Sequence, residues 1–324
     1  MLQELDVFDR RILVELDANC RQSMKQIGKK IRKSKEFVSY RAKKLEKAGI
    51  ISGYHAQIDI TKLGYFSIMN YFDFQNISKS TKKEIYEYFA EDKNAFWISP
   101  LFGEFDFDAG IWVRSPEEFQ AKKYQFLSKF RPSIKRLKNT VMTRFVNYGR
   151  NYIHPESYKK EFAGGSWRLQ PVDKIDLQIL SNLSENARMR IIELGKKTGM
   201  SSMGVLNRIR NLEKRKVILG YRAAIDISKL GFEYWKADIW LEDYSAKNKL
   251  VNACKEIPNH VMYIDTIGGS DVEVDFEVGS RKEFEEIMEK LNENFAGVIR
   301  DWKPLGISHV IKERYFPRTV QDIT

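Results

Sequence analysis

Cysteine and histidine are scarce in this chain, with two and four among 324 residues. Cys20 and Cys254 are too few for a disulfide scaffold, and neither has a Cys-x-x-Cys neighbour. Both read as small apolar residues in a reducing cytoplasm. His55, His154, His260 and His309 lack the spacing of a metal cluster. No Ser-His-Asp set or paired-acid constellation presents itself, so no catalytic residue, metal or cofactor is expected. A signal peptide is not expected either, because no apolar run follows a basic start. Nor does any stretch approach the roughly 18 uninterrupted apolar residues of a membrane span. The expectation is a cytoplasmic protein with no membrane partner. Acidic residues are outnumbered, 44 against 55 Lys and Arg, and the net charge of +11 favours a polyanionic partner or an acidic surface. Abundant Lys and Glu with so little Cys also suits a thermophile.

What is present is a repeat. Asp9-x-x-Ile12-Leu13 returns as Asp176-x-x-Ile179-Leu180, and Asn19 and Arg21 return as Asn186 and Arg188. Gly28-Lys29-Lys30 matches Gly195-Lys196-Lys197. Ser34, Val38, Arg41 and Leu45-Glu46-Lys47 match Ser201, Val205, Arg208 and Leu212-Glu213-Lys214. Gly53-Tyr54 and Leu63-Gly64 match Gly220-Tyr221 and Leu230-Gly231, all at an offset of 167. Each copy spells three short helices and the start of a hairpin. The first opens at Asp6 or Asp173 and carries Ile12, Leu13 and Leu16, or their counterparts, at helical spacing. Ser23 and Gln26 form a capping box for the second. Ser34 caps a third whose Val38, Ala42 and Leu45 share one face, and Gly49 stops it. Two short helices around a tight turn make a helix-turn-helix, and residues 51–59 and 218–226 read as the extended pieces of its wing. From Arg21 to Lys47 there are eleven basic residues against two acidic, and from Arg188 to Lys214 seven against two. On that motif, such charge points to the phosphates of duplex DNA.

The rest of each half spells strand, helix, strand, strand, helix, strand. In the first half the strands are 65–74, 96–102, 105–114 and 134–148, with helices at 80–90 and from Pro116 to Pro132. In the second, Val272, Val274, Phe276 and Val278 alternate with Glu273, Asp275 and Glu277, the period of a half-buried strand. That order is a ferredoxin-like βαββαβ unit, a four-stranded antiparallel sheet with both helices on one face. The expected fold class is α+β. A winged helix-turn-helix domain at 1–64 and a ferredoxin-like domain at 65–150 are followed by a linker at 151–171, then a second such pair at 172–231 and 232–320. The free sheet faces are expected to pack on each other across a pseudo-twofold axis, so that one chain imitates a dimer.

This order resembles the Lrp/AsnC family of transcriptional regulators, the feast/famine regulatory proteins. The second repeat carries the pattern: Asn186-Ala187-Arg188, Leu194, Thr198-Gly199-Met200-Ser201, Arg208-Ile209, Leu212-Glu213 and Gly220-Tyr221. The first departs from it at Ile31-Arg32-Lys33, where the family turn has glycine. The resemblance implies dimeric binding to palindromic DNA, with an amino acid or other small effector held in the second domain. The family's Gly-x-x-Asp turn corresponds to Gly103 and Asp106, and to Gly268 and Asp271. Exposed amides there suit a carboxylate, and a plain hairpin turn is the alternative.

The two reading helices differ. Lys35, Ser39, Tyr40, Arg41, Lys43 and Lys44 are the DNA-binding candidates of the first copy. Ser202, Met203, Leu206, Asn207, Arg208 and Arg210 are those of the second. Of these, Arg41 and Arg208 occupy the same place in both copies and serve either phosphate contact or helix packing. Lys or Arg pairs with guanine, Asn with adenine and apolar groups with thymine methyls, so the expected operator has two unlike half-sites. Residues 265–293 hold ten acidic and three basic residues. That surface makes recruitment of a basal transcription factor, as by an archaeal regulator, or self-association the alternative mode of action. A second alternative is an enzyme like the siroheme decarboxylases, which resemble the same family and need a basic pocket with His or Arg.

Overall fold

The computed structural model describes residues 5–154 and 160–317. The first half contains helices α1 (Val7–Ala18), α2 (Met24–Ile31) and α3 (Lys35–Lys47), then strand β1 (Ile51–Ile58). There follow β2 (Phe66–Phe74), α4 (Lys79–Glu91), β3 (Ala95–Gly103), β4 (Phe107–Val113), α5 (Pro116–Phe130) and β5 (Ile134–Tyr148). After a short strand β6 (Glu161–Gly164), the order repeats with α6 (Lys174–Glu185), α7 (Ile191–Thr198), α8 (Ser202–Lys214) and β7 (Ile218–Ile225). It continues through β8 (Glu233–Leu241), α9 (Lys247–Lys255), β9 (His260–Ile267), β10 (Val272–Val278), α10 (Arg281–Asn294) and β11 (Ile299–Ile307), and closes with β12 (Lys312–Glu313). The two tandem winged helix-turn-helix and ferredoxin-like units expected from the sequence are present.

Each ferredoxin-like unit has its helices on the outer face. Ile85, Phe89, Phe126 and Phe130 of α4 and α5 meet Phe72, Ile98, Phe107 and Ile111 of the first sheet. Leu250, Cys254, Phe284 and Met288 of α9 and α10 meet Val274, Phe276 and Ile239 of the second. The two sheets do more than face one another. Strand β5 pairs with β9, from Val141 opposite Ile267 to Asn147 opposite Met262. Strand β3 pairs with β11, Gly103 opposite Leu305. Both outer edges of each sheet are thereby used, and eight strands close into a barrel in the order β11-β8-β10-β9-β5-β2-β4-β3. Closure leaves these strands no bare edge to recruit another chain.

Three expectations are corrected by this architecture. The polar residues of β10 do not face water: the whole strand is buried, with Val272, Val274 and Phe276 toward the helices and Glu273, Asp275 and Glu277 toward the barrel interior. Strict alternation marks two faces, and here the second face looks into a barrel rather than into solvent. The wing is not a hairpin within each copy. Strand β1 pairs with β7 of the other copy, Tyr54 opposite Ala223, in a two-stranded ribbon. The linker is only partly a linker, because β6 adds to β5 with Phe145 opposite Gly164. Trp167 docks beyond it, donating from its indole nitrogen to the Thr143 carbonyl at 2.9 Å and lying 4.7 Å from the Phe66 ring. Pro155 and its neighbours through 159, and the expected domain ends before 5 and after 317, lie outside the described residues.

Candidate nucleic-acid interface and central cavity

The helix-turn-helix heads are built by their caps and their turn. Ser23 and Gln26 make the capping box of α2, and Ser34 and Ser201 cap α3 and α8. Glycine at 28 and 195 has a local cause. A Cβ on Gly28 would stand 2.5 Å from the Lys33 carbonyl oxygen, and one on Gly195 would stand 2.7 Å from that of Met200. Where α7 ends on Gly199 at φ 67°, α2 ends on Arg32 at φ 57°, a left-handed backbone that a side chain strains. Val38, Ala42 and Leu45 are buried, as are Val205, Ile209 and Leu212.

The outer faces of α3 and α8 carry most of the candidates. Lys35, Tyr40, Lys43 and Lys44 are exposed and Ser39 is half-buried; Ser202, Met203, Asn207 and Arg210 are exposed and Leu206 half-buried. Arg41 and Arg208 do otherwise. Arg41 pairs with Asp6 at 2.6 Å and Asp9 at 3.1 Å, and Arg208 with Asp173 at 2.7 Å and Asp176 at 2.9 Å. Each ties its reading helix to the first helix of its head, which explains the repeat of Asp9 and Asp176.

Other repeated residues join the heads to each other. Arg21 donates to the Ala187 carbonyl and Arg188 to the Cys20 carbonyl, both at 2.5 Å. Each guanidinium also lies 5.2 Å from a tyrosine ring of the opposite copy, Tyr221 or Tyr54. The hydroxyls of Tyr54 and Tyr221 donate to Glu46 and Glu213 at 2.6 Å. In the sequence, Arg21 and Arg188 count with the cationic surface. Their recurrence beside Asn19 and Asn186 was the available signal of an interface between copies.

The Gly-x-x-Asp turns close hairpins. Gly103 at φ 123° runs so near β11 that a Cβ would stand 2.5 Å from the Pro304 carbonyl oxygen. Asp106 accepts from the Phe74 backbone N–H at 2.8 Å, and Asp271 from that of Leu241 at 2.8 Å. Gly268 is likewise left-handed, at φ 81°. Both aspartates therefore bind backbone of their own sheets.

A cavity of about 760 Å³ lies instead between the ribbon, the barrel and the residues around β12. His55, Arg222, Arg150, Lys236, Asp275, Glu277 and Tyr315 are among its lining residues. Arg150 bridges Glu277 at 2.8 Å and Asp17 at 2.9 Å, and Arg222 reaches Asp17 at 2.7 Å. Asp17 is on α1, Arg222 on β7 and Glu277 on β10, so these pairs connect a head, the ribbon and the barrel. Burial between Arg222 and Arg150 drives the His55 imidazole well below its ordinary range, and its ring stacks on Tyr315 at 3.4 Å. Lys236 pairs with Glu273 at 2.6 Å and donates to the Tyr71 hydroxyl at 2.8 Å. Burial raises the Asp108 carboxyl to about 6 and that of Asp275 to about 7, against the opposing pull of Lys236. No group of three or more His, Cys, Asp or Glu placed to hold a metal ion occurs among the described residues. Among the same residues, no helix is long and apolar enough to cross a membrane.

Comparison with known proteins agrees with this geometry. Residues 172–213 match the AsnC-type helix-turn-helix domain, and residues 5–52 match a winged helix-turn-helix DNA-binding model. An uncharacterised HTH-type transcriptional regulator of Pyrococcus furiosus is 32% identical over 135 residues, 40% of this chain and 82% of that protein. The chain belongs to the Lrp/AsnC family of helix-turn-helix transcriptional regulators. It spans about half the length of other curated relatives: it is 44% identical to the YezC regulator of Bacillus subtilis over 77 residues, 24% of this chain and 55% of YezC. Among solved structures, the siroheme decarboxylase NirDL superposes with a TM-score of 0.67, covering 97% of this chain and 96% of that one at 12% identity. That likeness shows a shared fold for this Lrp/AsnC chain, tandem halves included.

Proposed function

We propose that this protein regulates transcription by binding duplex DNA through α3 and α8, reading an operator of two unlike half-sites. The observation that carries the reading is the pair of exposed helix faces, one on each of two heads held by reciprocal Arg21 and Arg188 contacts. Tyr40, Lys43 and Lys44 stand on one face where Met203, Asn207 and Arg210 stand on the other. Lys25, Lys29, Arg32, Lys33 and Lys35 surround a shallow groove at the first turn, a surface suited to phosphate. In the second head, Asn207 suits adenine, Arg210 guanine and Met203 a thymine methyl. Arg41 and Arg208 act here as helix ties, and the effector candidates Gly103, Asp106, Gly268 and Asp271 act as hairpin turns.

Selection of bound duplexes from sheared genomic DNA, followed by salt titration of the winner, tests this function. The expected result is an asymmetric site whose affinity falls steeply with salt. Equal binding to all duplexes, or none at moderate salt, would overturn it. Arg210→Ala is expected to relax discrimination at one base pair by about 1–3 kcal/mol, measured by competition between single-base operator variants. A uniform loss over every variant would assign Arg210 to phosphate.

Recruitment of a basal initiation factor has less surface to use than the sequence offered. Glu273, Asp275 and Glu277 are interior, and on α10 Glu285 and Glu286 pair with Arg281 and Lys282.

A further inference from the structure

We propose that the cavity between the paired heads and the barrel binds one small organic cation per chain, a primary ammonium on an apolar or aromatic body, anchored by Asp275. Asp275 lines the cavity and is only 2% exposed. Its Oδ2 accepts from the Tyr234 hydroxyl at 2.7 Å, while its Oδ1 has no hydrogen-bond partner. A buried carboxylate oxygen left unpaired is costly, and an N–H donor arriving from the cavity would satisfy it. Three of the four Lys and Arg that line the cavity are engaged by named partners. Lys236, directly across from Asp275 in the strand register, is held by Glu273 and Tyr71. Arg150 and Arg222 are held by Glu277 and Asp17. Six carboxyl groups and four Lys or Arg line the cavity, and an arriving ammonium would favour the charged form of Asp275.

The walls specify the rest of the ligand. Trp97, Tyr234, Phe232 and Tyr315 present ring surface to the cavity, which suits both an apolar body and an ammonium. The volume lies within the roughly 300–1,000 Å³ usual for small-molecule sites.

One site per chain follows from the unequal halves. By the strand register, Gly110, Trp112 and Met69 stand where Asp275, Glu277 and Lys236 stand in the second half. Trp112 stacks on Phe96 at 4.9 Å, and a Cβ on Gly110 would stand 2.5 Å from the same ring. Packed rings take the place of Asp275 and Glu277, while Asp108, at the register position of Glu273, is buried with its Oδ2 unpaired but does not line the cavity, so the first half adds no equivalent anchor to it.

Calorimetric titration of the full chain without DNA tests the site, so its failure is distinct from failure of the DNA-binding reading. The probes are tryptamine, indole-3-acetate as the anion on the same ring, and cadaverine as an amine without a ring. Tryptamine is expected to saturate at one per chain and to bind at least about tenfold tighter than indole-3-acetate. Asp275→Asn, with its melting transition retained, is expected to lose about tenfold or more in tryptamine affinity. Val310→Trp narrows the exposed rim without touching the buried pairs, and it is expected to weaken binding even if the first variant fails to fold. Equal affinity for indole-3-acetate would overturn the proposal. So would no binding of either amine at about 10 mM, two sites per chain, or unchanged affinity in the variant that folds.

Discussion

Burial holds the Asp275 carboxyl at about 7 and that of Asp108 at about 6, so the folded chain binds these protons more tightly than an unfolded chain does. Their sign is therefore opposite to that of a carboxylate stabilised by a salt bridge. Stability is fully present below the ordinary carboxyl range and falls as pH rises from about 4 to about 7. Asp17 behaves in the usual way. Arg222 and Arg150 outweigh its desolvation and hold it below the ordinary range, so its contribution is lost only in stronger acid. Melting temperature is expected to be higher at pH 5 than at pH 8. Asp275→Asn should flatten that difference by about 2 °C or more, read by calorimetry. A steeper pH dependence in the variant would overturn this account. None of this was legible in the sequence, where alternating acids on a strand read as a wet face.

The helix-turn-helix turn sets the limits at the scale of an element. Gly28→Ala would drive a methyl group into the Lys33 carbonyl, with a Cβ at 2.5 Å, and it is expected to cost about 1–3 kcal/mol. Arg32→Gly acts in the other direction, relieving a left-handed side chain at φ 57°, and should gain about 1 kcal/mol. Urea titrations of both variants check the pair, and a shift of both midpoints in one direction would contradict the geometry. These elements were readable because their signals are local. A serine cap, a capping-box glutamine and an apolar face at helical spacing act within one or two turns of chain. The pairing of the wing strands is not legible for the converse reason. A strand carries no local mark of its partner, and β1 found its partner 167 residues away.

On the scale of the whole molecule, closure of the barrel makes each half depend on the other. Residues 1–154 alone would expose the edges of β3 and β5, and residues 160–324 alone those of β9 and β11. Each half expressed by itself is expected to self-associate or aggregate. The two expressed together should elute as a one-to-one complex on size-exclusion chromatography. Two soluble monomeric halves would show that closure contributes little. The Asp17, Arg222, Arg150 and Glu277 chain spans the same assembly, so a change at the cavity has a direct physical route to a head.

The sequence by itself determined the two tandem units, the element order within each, the caps and apolar faces of the heads, and the difference between the two reading helices. All of these follow from spacing along the chain. The tertiary structure decided which charges are free and which are fastened. It turned Arg21 and Arg188 into contacts between heads, Arg41 and Arg208 into helix ties, and the acids of β10 into the floor of a cavity. The physical reason is that burial and pairing depend on residues far apart along the chain, 32 positions for Arg41 and Asp9 and 166 for Arg21 and Ala187. A side chain's charge is written in the sequence, but its dielectric surroundings exist only once the barrel has closed.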